Sequence, residues 1–421
     1  MHKKILKRFD SLEKSKFGEE YNISKNHLHY LILNKKDFLN LKFSILGLLT
    51  NLILLKLSLI SILICKIKRI KIANYFIVFP KSLGKYDNRS SYILKNFDLN
   101  NSLNIIRCVS FIDSICAYFK YPNVIFYLSF QYFNQSFFSK KVSFIEKYKM
   151  LHKTEKKNFL TIKKIFKFLK IKRFISIDDQ RVIQMFLEVC KVLQISSFGY
   201  MHYKFSRFVV GIKYLCFDHF FVWSKYFKRK LIEVNKNYKY KKIFITGYPK
   251  KKINSLKQNK ISLLYLVDLN LNFNEIRKII KKIIYNKNIK LFVKLKPQLN
   301  INKKWITFCN DNKIKCFSDE NLNYINFKYN IDYFIATIST AILESTLYKA
   351  MPIKLITKND FADDLLKDKV VKKASNLRDI LNIVKKKPSK KKINSIFVKV
   401  WGKKKYSSNN IKKILLSHIY I

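Results

Sequence analysis

Short apolar runs alternate with helix-length amphipathic segments through both halves of the chain. That alternation restricts it to parallel sheets joined by helical crossovers. In the second half, ISLLYLV (Ile261–Val267) reads as a strand, Asn272–Tyr285 as a helix and KLFVKLKPQ (Lys290–Gln298) as a strand. Asn302–Asn312 then reads as a helix and KIKCF as a further strand. The stretch Ile331–Ile356 adds a buried strand at Tyr333–Ala336, a Thr/Ser-rich turn and another strand after Pro352. Between turn and strand lies a helix of about two to three turns, with Thr337, Ser339 and Thr340 as N-cap candidates. In the first half the strands are YFIVFPKS from Tyr75, Asn123–Phe130, Arg173–Gln180, Phe220–Trp223 and Lys241–Pro249. Asn158–Lys170 is a basic amphipathic helix, and another helix ends at Val192.

The polar, aperiodic stretch KKKINSLKQNK (Lys250–Lys260) is the natural linker. The expected organisation is a basic N-terminal region over 1–72, one α/β domain over 73–249, the linker over 250–260, a second α/β domain over 261–400 and a C-terminal helix over 401–421. With 421 residues, 48% of them apolar, the chain has material for two ordinary cores.

The net charge of +58 invites a nucleic-acid reading. Yet the lysines are spread from end to end, beside abundant Asn, Ile, Phe and Tyr and only 7 Gly and 6 Pro, which marks a bias of the whole chain. The expectation is no nucleic-acid partner but attraction to an anionic membrane surface or to acidic ligands. The seven cysteines include no CxxC pair, and no secretory signal layout is seen, which points to a reducing, cytoplasmic compartment. Phe43–Cys65 is apolar over nearly a membrane-span length, but Lys56 and Asn51 interrupt it and KIKRIK follows. It reads either as a span or as a helix lying at the interface or on the first domain.

Three places at carboxyl ends of strands could carry chemistry. Asp178 and Asp179 follow one strand, where a carboxylate can act as general base or, for Asp179, cap the next helix. His202, with Tyr203, Lys204, Ser206 and Arg207, lies in a loop suited to a general base or to a structural histidine. Lys294 and Lys296, with Pro297, would face Ser339 and Thr340 if the second domain is doubly wound, and could neutralise a phosphate. Glu344 sits four residues after Thr340 and five after Ser339, so it closes no capping box. Its carboxylate is left for a ligand hydroxyl or for the helix dipole. There is no GxxxxGK[ST], GxGxxG, HExxH or Asp-x-Asp motif, so no metal site and no cofactor is expected.

In order along the chain, DDQR with GYMHY, FDHFFVWSKYF with ITGYP, and KLKP with ATISTAILESTLYKAMPI resemble the GT-B glycosyltransferases that build bacterial surface polysaccharides. Capsule and lipopolysaccharide transferases and CDP-glycerol polymerases are the nearest in look. The likeness covers residues 173–356 and implies two Rossmann-like domains facing a cleft. It places His202 at the acceptor-domain histidine and Gly247 and Pro249 at the interdomain turn. Ser339, Thr340 and Glu344 fall on the donor-binding helix. Three positions depart from the pattern. Tyr203 stands for a usual Gly, Lys296 for the histidine of His-Pro, and Ala350 for the Gly of G-x-P.

The resemblance implies a metal-independent transferase that takes a nucleotide-activated sugar and a glycan or lipid-linked acceptor at the inner face of the cell membrane. Lys296, Pro297, Ser339, Thr340, Glu344 and Gly247 would serve the donor side. His202, Asp179 and Asp178 would serve catalysis. A glycerophosphotransferase, a sugar-nucleotide epimerase or an inactive membrane-surface protein of the same fold are the rival expectations.

Overall fold

The computed structural model describes residues 45–78, 94, 97–107, 111–127, 144–177, 182–201, 212, 215–249, 260–268, 273–296, 302–318, 320–337, 339, 341–357, 364–385, 387–403 and 405–417. The chain divides into two units. One takes Met1–Trp223, Lys228–Pro249 and Tyr406–Ile421; the other takes Ser224–Phe227 and Lys250–Lys405. Most of the expected linker, 250–259, lies outside the described residues.

The first unit is built on a seven-stranded parallel sheet, ordered β3-β2-β1-β4-β5-β6-β7. Its strands are β1 (Ile72–Ile77), β2 (Ser102–Arg107), β3 (Val124–Phe126), β4 (Arg173–Ser176), β5 (Ser196–Tyr200), β6 (His219–Val222) and β7 (Lys242–Ile245). The helices are α1 (Ile45–Ile67), α2 (Phe111–Lys120), α3 (Phe144–Leu169) and α4 (Ile183–Val192), with α5 (Lys225–Val234) running from one unit into the other. An aromatic cluster fills the core: Phe186 of α4 stacks on Phe174 of β4 at 5.1 Å and meets Tyr75 at 5.2 Å and Tyr127 at 5.7 Å. Parallel strands covered on both faces are buried along their length, as β1 and β4 are here.

Strand β2 was not anticipated. Its run SLNIIR carries Ser102 and Asn104, which look out of place in a buried strand. The Asn104 amide donates to Pro122 O at 2.7 Å and Leu99 O at 2.9 Å, so the buried polar side chain is satisfied by neighbouring loops. The basic helix also begins earlier than Asn158, at Phe144.

The second unit is a six-stranded parallel sheet, ordered β10-β9-β8-β11-β12-β13. Its strands are β8 (Ile261–Leu266), β9 (Ile289–Lys294), β10 (Lys315–Phe317), β11 (Tyr333–Ala336), β12 (Met351–Leu355) and β13 (Lys372–Ala374). Between them run α6 (Phe273–Ile284), α7 (Asn302–Asp311), α8 (Leu322–Tyr329), α9 (Ala341–Glu344) and α10 (Asp364–Lys367). Helices α11 (Leu377–Val384) and α12 (Lys390–Trp401) follow, and α13 (Ser408–Ser417) returns to the first unit. The lysine-rich Lys385–Lys392 is partly helix: Ser389 caps α12 by accepting from Lys392 N. Trp401 at the far end of α12 donates from Nε1 to Thr346 Oγ1 at 3.0 Å.

Both units share a staple at the amino edge of the sheet. Asp218, just before β6, accepts from Ser197 N at 3.1 Å; Asp332, before β11, accepts from Ser262 N at 2.9 Å. The two expected Rossmann-like domains are therefore present, together with the N-terminal apolar helix.

Candidate functional site

Counted within its own sheet, the strand order of the second unit is third, second, first, fourth, fifth, sixth. The direction of winding reverses between β8 and β11. The connections leaving these two strands diverge there, opening a crevice at their carboxyl ends. Asp268 lies two residues beyond β8 and Thr337 one beyond β11.

Asp268 is 1% exposed, and its Oδ2 accepts from both Thr337 N (2.9 Å) and Thr337 Oγ1 (2.8 Å). From the other neighbour of β11, Lys354 of β12 is fully buried and donates from Nζ to Thr337 O at 2.7 Å. Ala336 and Lys354 are partners in the β11–β12 register, which puts the long side chain within reach of the next carbonyl. The turn that leaves β11 is thus gripped at N–H, hydroxyl and carbonyl by two buried charged side chains. Burying such groups without partners is costly, and these three bonds fix the backbone and hydroxyl of Thr337.

Beyond this clamp, half-buried Ser339 accepts at Oγ from Ala341 N at 3.3 Å, capping the helix as expected for one of the three candidates. The helical stretch has the expected length of about two turns, but only its first half is α. Ala341–Glu344 is a single α turn and Ser345–Tyr348 continues as a 3-10 turn. Ser345 Oγ donates to Ile342 O at 2.7 Å and Thr346 Oγ1 to Leu343 O at 3.0 Å. These hydroxyls compete for the carbonyls that a longer α-helix would use. With so little aligned backbone the dipole contributes little, and side chains must supply most of the polarity at this edge.

Glu344 is half-buried and makes no cap hydrogen bond to the 3-10 turn. Lys349 closes the turn with φ 59, and Ala350 is buried at ordinary φ. The absence of glycine at Ala350 therefore costs no backbone strain; the left-handed residue is its neighbour.

Lys296 follows β9 on the same edge and is half-buried. Lys294 is engaged locally: its Nζ donates to Ser318 O at 2.8 Å and Leu295 O at 3.0 Å, tying the ends of β9 and β10. Burial, opposed by the nearby Glu320 carboxylate and the Cys316 sulfur, brings the Lys294 pKa from 10.5 down to about 8. The folded chain therefore binds fewer protons than the unfolded chain between those values. Stability should rise with pH through that window and be lost as pH falls through about 8. Lys294→Met removes this dependence. Wild type should gain about 1–2 kcal/mol on the variant between about pH 7 and 10.5, allowing for partial solvent screening, in urea unfolding followed across pH.

Gly247, after β7, has φ 78, in the left-handed region that glycine enters without penalty. Tyr248 beside it packs edge-on against Trp223 at 4.7 Å. Asp178 and Asp179 follow β4 in sequence and His202 follows β5; these three, with Pro297 and Thr340, lie outside the described residues. Asp268 and Lys354 were not singled out from the sequence. The available signals were an aspartate directly after ISLLYLV and a single lysine inside the apolar run PIKLI. Among the described residues no group of three or more His, Cys, Asp and Glu is placed to hold a metal ion.

Two such sheets, one domain after the other, define the GT-B fold. Solved structures carry the same architecture at low sequence identity. A putative UDP-N-acetylglucosamine 2-epimerase from Listeria monocytogenes matches with TM-score 0.55 at 10% identity, over 83% of this chain and 96% of that one. The S. aureus MnaA–UDP co-structure matches with TM-score 0.51 at 10% identity over the same shares. The glycotransferase of kitacinnamycin matches with TM-score 0.51 at 7% identity, over 82% and 98%. No protein-family model and no curated protein matches the sequence. At these identities the likeness establishes the fold.

Proposed function

We propose that the chain is an enzyme of nucleotide-sugar chemistry, and specifically a glycosyltransferase acting on a glycan or lipid-linked acceptor. The observation that carries the proposal is the clamped turn at the switch point of the second sheet. A rigid turn followed by hydroxyls, with a lysine on the same edge, suits a diphosphate. Ser339, Thr340 and Lys296 would hold the donor's phosphates and Glu344 a ribose hydroxyl. An acceptor hydroxyl would attack the anomeric carbon. As that C–O bond forms, the bond from the anomeric carbon to the phosphate oxygen breaks. The acceptor's proton passes to His202 or Asp179, and the nucleoside diphosphate leaves with its charge met by lysine and hydroxyl groups.

A second reading comes from two of the structural relatives, a putative UDP-N-acetylglucosamine 2-epimerase and a protein solved with UDP: the same donor domain could serve epimerisation of the sugar. The two readings differ in whether an acceptor is needed. A thermal-shift screen against CMP-, CDP-, UDP- and GDP-linked sugars comes first. One nucleotide series should raise the melting temperature, and Glu344→Ala should weaken its binding about tenfold by calorimetry, the loss of one good hydrogen bond. An unchanged dissociation constant removes the ribose role of Glu344, and no shift with any donor removes the proposal. NMR of the bound sugar nucleotide, without acceptor, then reports an altered sugar only for the epimerase.

A further inference from the structure

Helix α1 carries apolar residues on both its inner and outer sides, yet the sheet accounts for only one of them. Asn51, Leu54, Ser58, Ser61, Ile62 and Cys65 form a buried stripe at helical spacing. Ser58 stitches that stripe to the edge of the sheet: its Oγ accepts from Phe126 N of β3 at 3.1 Å and donates to Leu54 O at 2.7 Å. By length and composition Leu49–Ile67 could cross a membrane. A helix sewn along a sheet edge in this way cannot also be surrounded by lipid on every side.

The opposite side presents Leu49, Leu52, Ile53, Leu59, Ile60, Leu63, Ile64 and Ile67, between 36% and 81% exposed. At 100° per residue these eight fall on an arc of roughly 140°. Together they expose on the order of several hundred Å² of apolar surface, the scale that marks an interaction site. Exposed Lys56 lies within the arc, and exposed Lys66, Lys68, Arg69 and Lys71 close its end. No Asp or Glu occurs between Ile45 and Val78. The end of α3 adjoins this basic end: Lys66 Nζ donates to Phe168 O at 2.9 Å and lies 4.5 Å from the half-exposed Phe168 ring. Exposed Lys164, Lys167 and Lys170 stand beside it in sequence.

We propose that the outward stripe of α1 beds into the surface of an anionic lipid bilayer, with the helix in the plane of the interface. The observations favour lipid over a protein partner. A lysine within an apolar stripe can extend its stem along the stripe and place its ammonium among headgroups, and the rim is uniformly cationic. This surface belongs to the first unit and stands whether or not the donor site is as described above.

The test is co-sedimentation of the full chain with vesicles of phosphatidylcholine, alone or with about 30% phosphatidylglycerol. The wild type should pellet with the anionic vesicles and retain part of its binding at about 0.5 M salt, where charge alone is screened. Ile60→Gln/Leu63→Gln/Ile67→Gln should lower partitioning about tenfold, with circular dichroism unchanged. Lys68→Gln/Lys71→Gln should weaken binding to anionic vesicles only. Should the triple variant fail to fold, Leu63→Trp replaces it, and its added emission should be quenched by brominated lipid. No pelleting with either vesicle overturns the proposal. So does triple-variant binding equal to wild type, or a concentration-dependent dimer that the triple variant dissolves without any vesicle binding.

Discussion

Asp268→Ala is expected to lower the unfolding free energy of the second domain by about 3–5 kcal/mol, read from urea midpoints at constant slope. The carboxylate is buried and serves two donors of one residue, Thr337 N and Thr337 Oγ1. Removing it leaves both without that acceptor, and each buried donor so stranded costs about 1–3 kcal/mol. The buried ammonium of Lys354 is bonded to the carbonyl of the same residue, so a shift of Thr337 would disturb that bond as well. Asp268→Asn keeps the shape and one accepting oxygen, so it should cost less, about 1–2 kcal/mol. Both variants should weaken any ligand of the Ser339 turn more than Glu344→Ala does, because they release the turn itself. A change in stability below about 1 kcal/mol for Asp268→Ala would show that the turn is held by something else.

Phe186→Ala is the second large effect, expected to cost about 3–5 kcal/mol in the first domain. Its ring touches four others: it stacks on Phe174, and Tyr75, Tyr127 and Phe166 pack around it. Tyr127 is held from swinging into the space, because its hydroxyl donates to Glu155 Oε2 at 3.2 Å and receives the Asn158 amide at 3.2 Å. A partly unrelaxed cavity follows, and cavities of that kind set the upper part of the range. Phe186→Leu, which keeps more of the volume, should recover at least half of the loss in the same denaturant titration.

The alternation of apolar runs and amphipathic helices was enough to read two parallel α/β domains, because fully buried strands leave a continuous apolar signature. Where it failed, the cause is specific. Strand β2 hides behind Ser102 and Asn104, whose satisfaction by loop carbonyls belongs to tertiary structure. The helix after Ser339 has the length read from the sequence, but hydroxyl-to-carbonyl bonds from Ser345 and Thr346 accompany a tighter second half, and helical periodicity cannot separate α from 3-10 over so few residues. At the site, Ser339 announces itself as a cap. Asp268 and Lys354 meet Thr337 from strands that are distant in sequence, and no local pattern encodes that meeting. The apolar stretch Phe43–Cys65 reads either as a span or as a surface helix, and the Ser58–Phe126 hydrogen bond ties its helix to the sheet edge.

Helix α13 carries a consequence for how the protein is made. It belongs to the first domain, where the buried Arg173 guanidinium at the start of β4 donates to the carbonyl of Leu415. On the ribosome, N-terminal domains generally fold while the rest of the chain is still being synthesised. Here the contact between Arg173 and Leu415 cannot form until the second domain has been translated in full and Ser408–Ser417 emerges. The last-made element of the first domain is thus separated from the rest of it in sequence by the whole of the second domain.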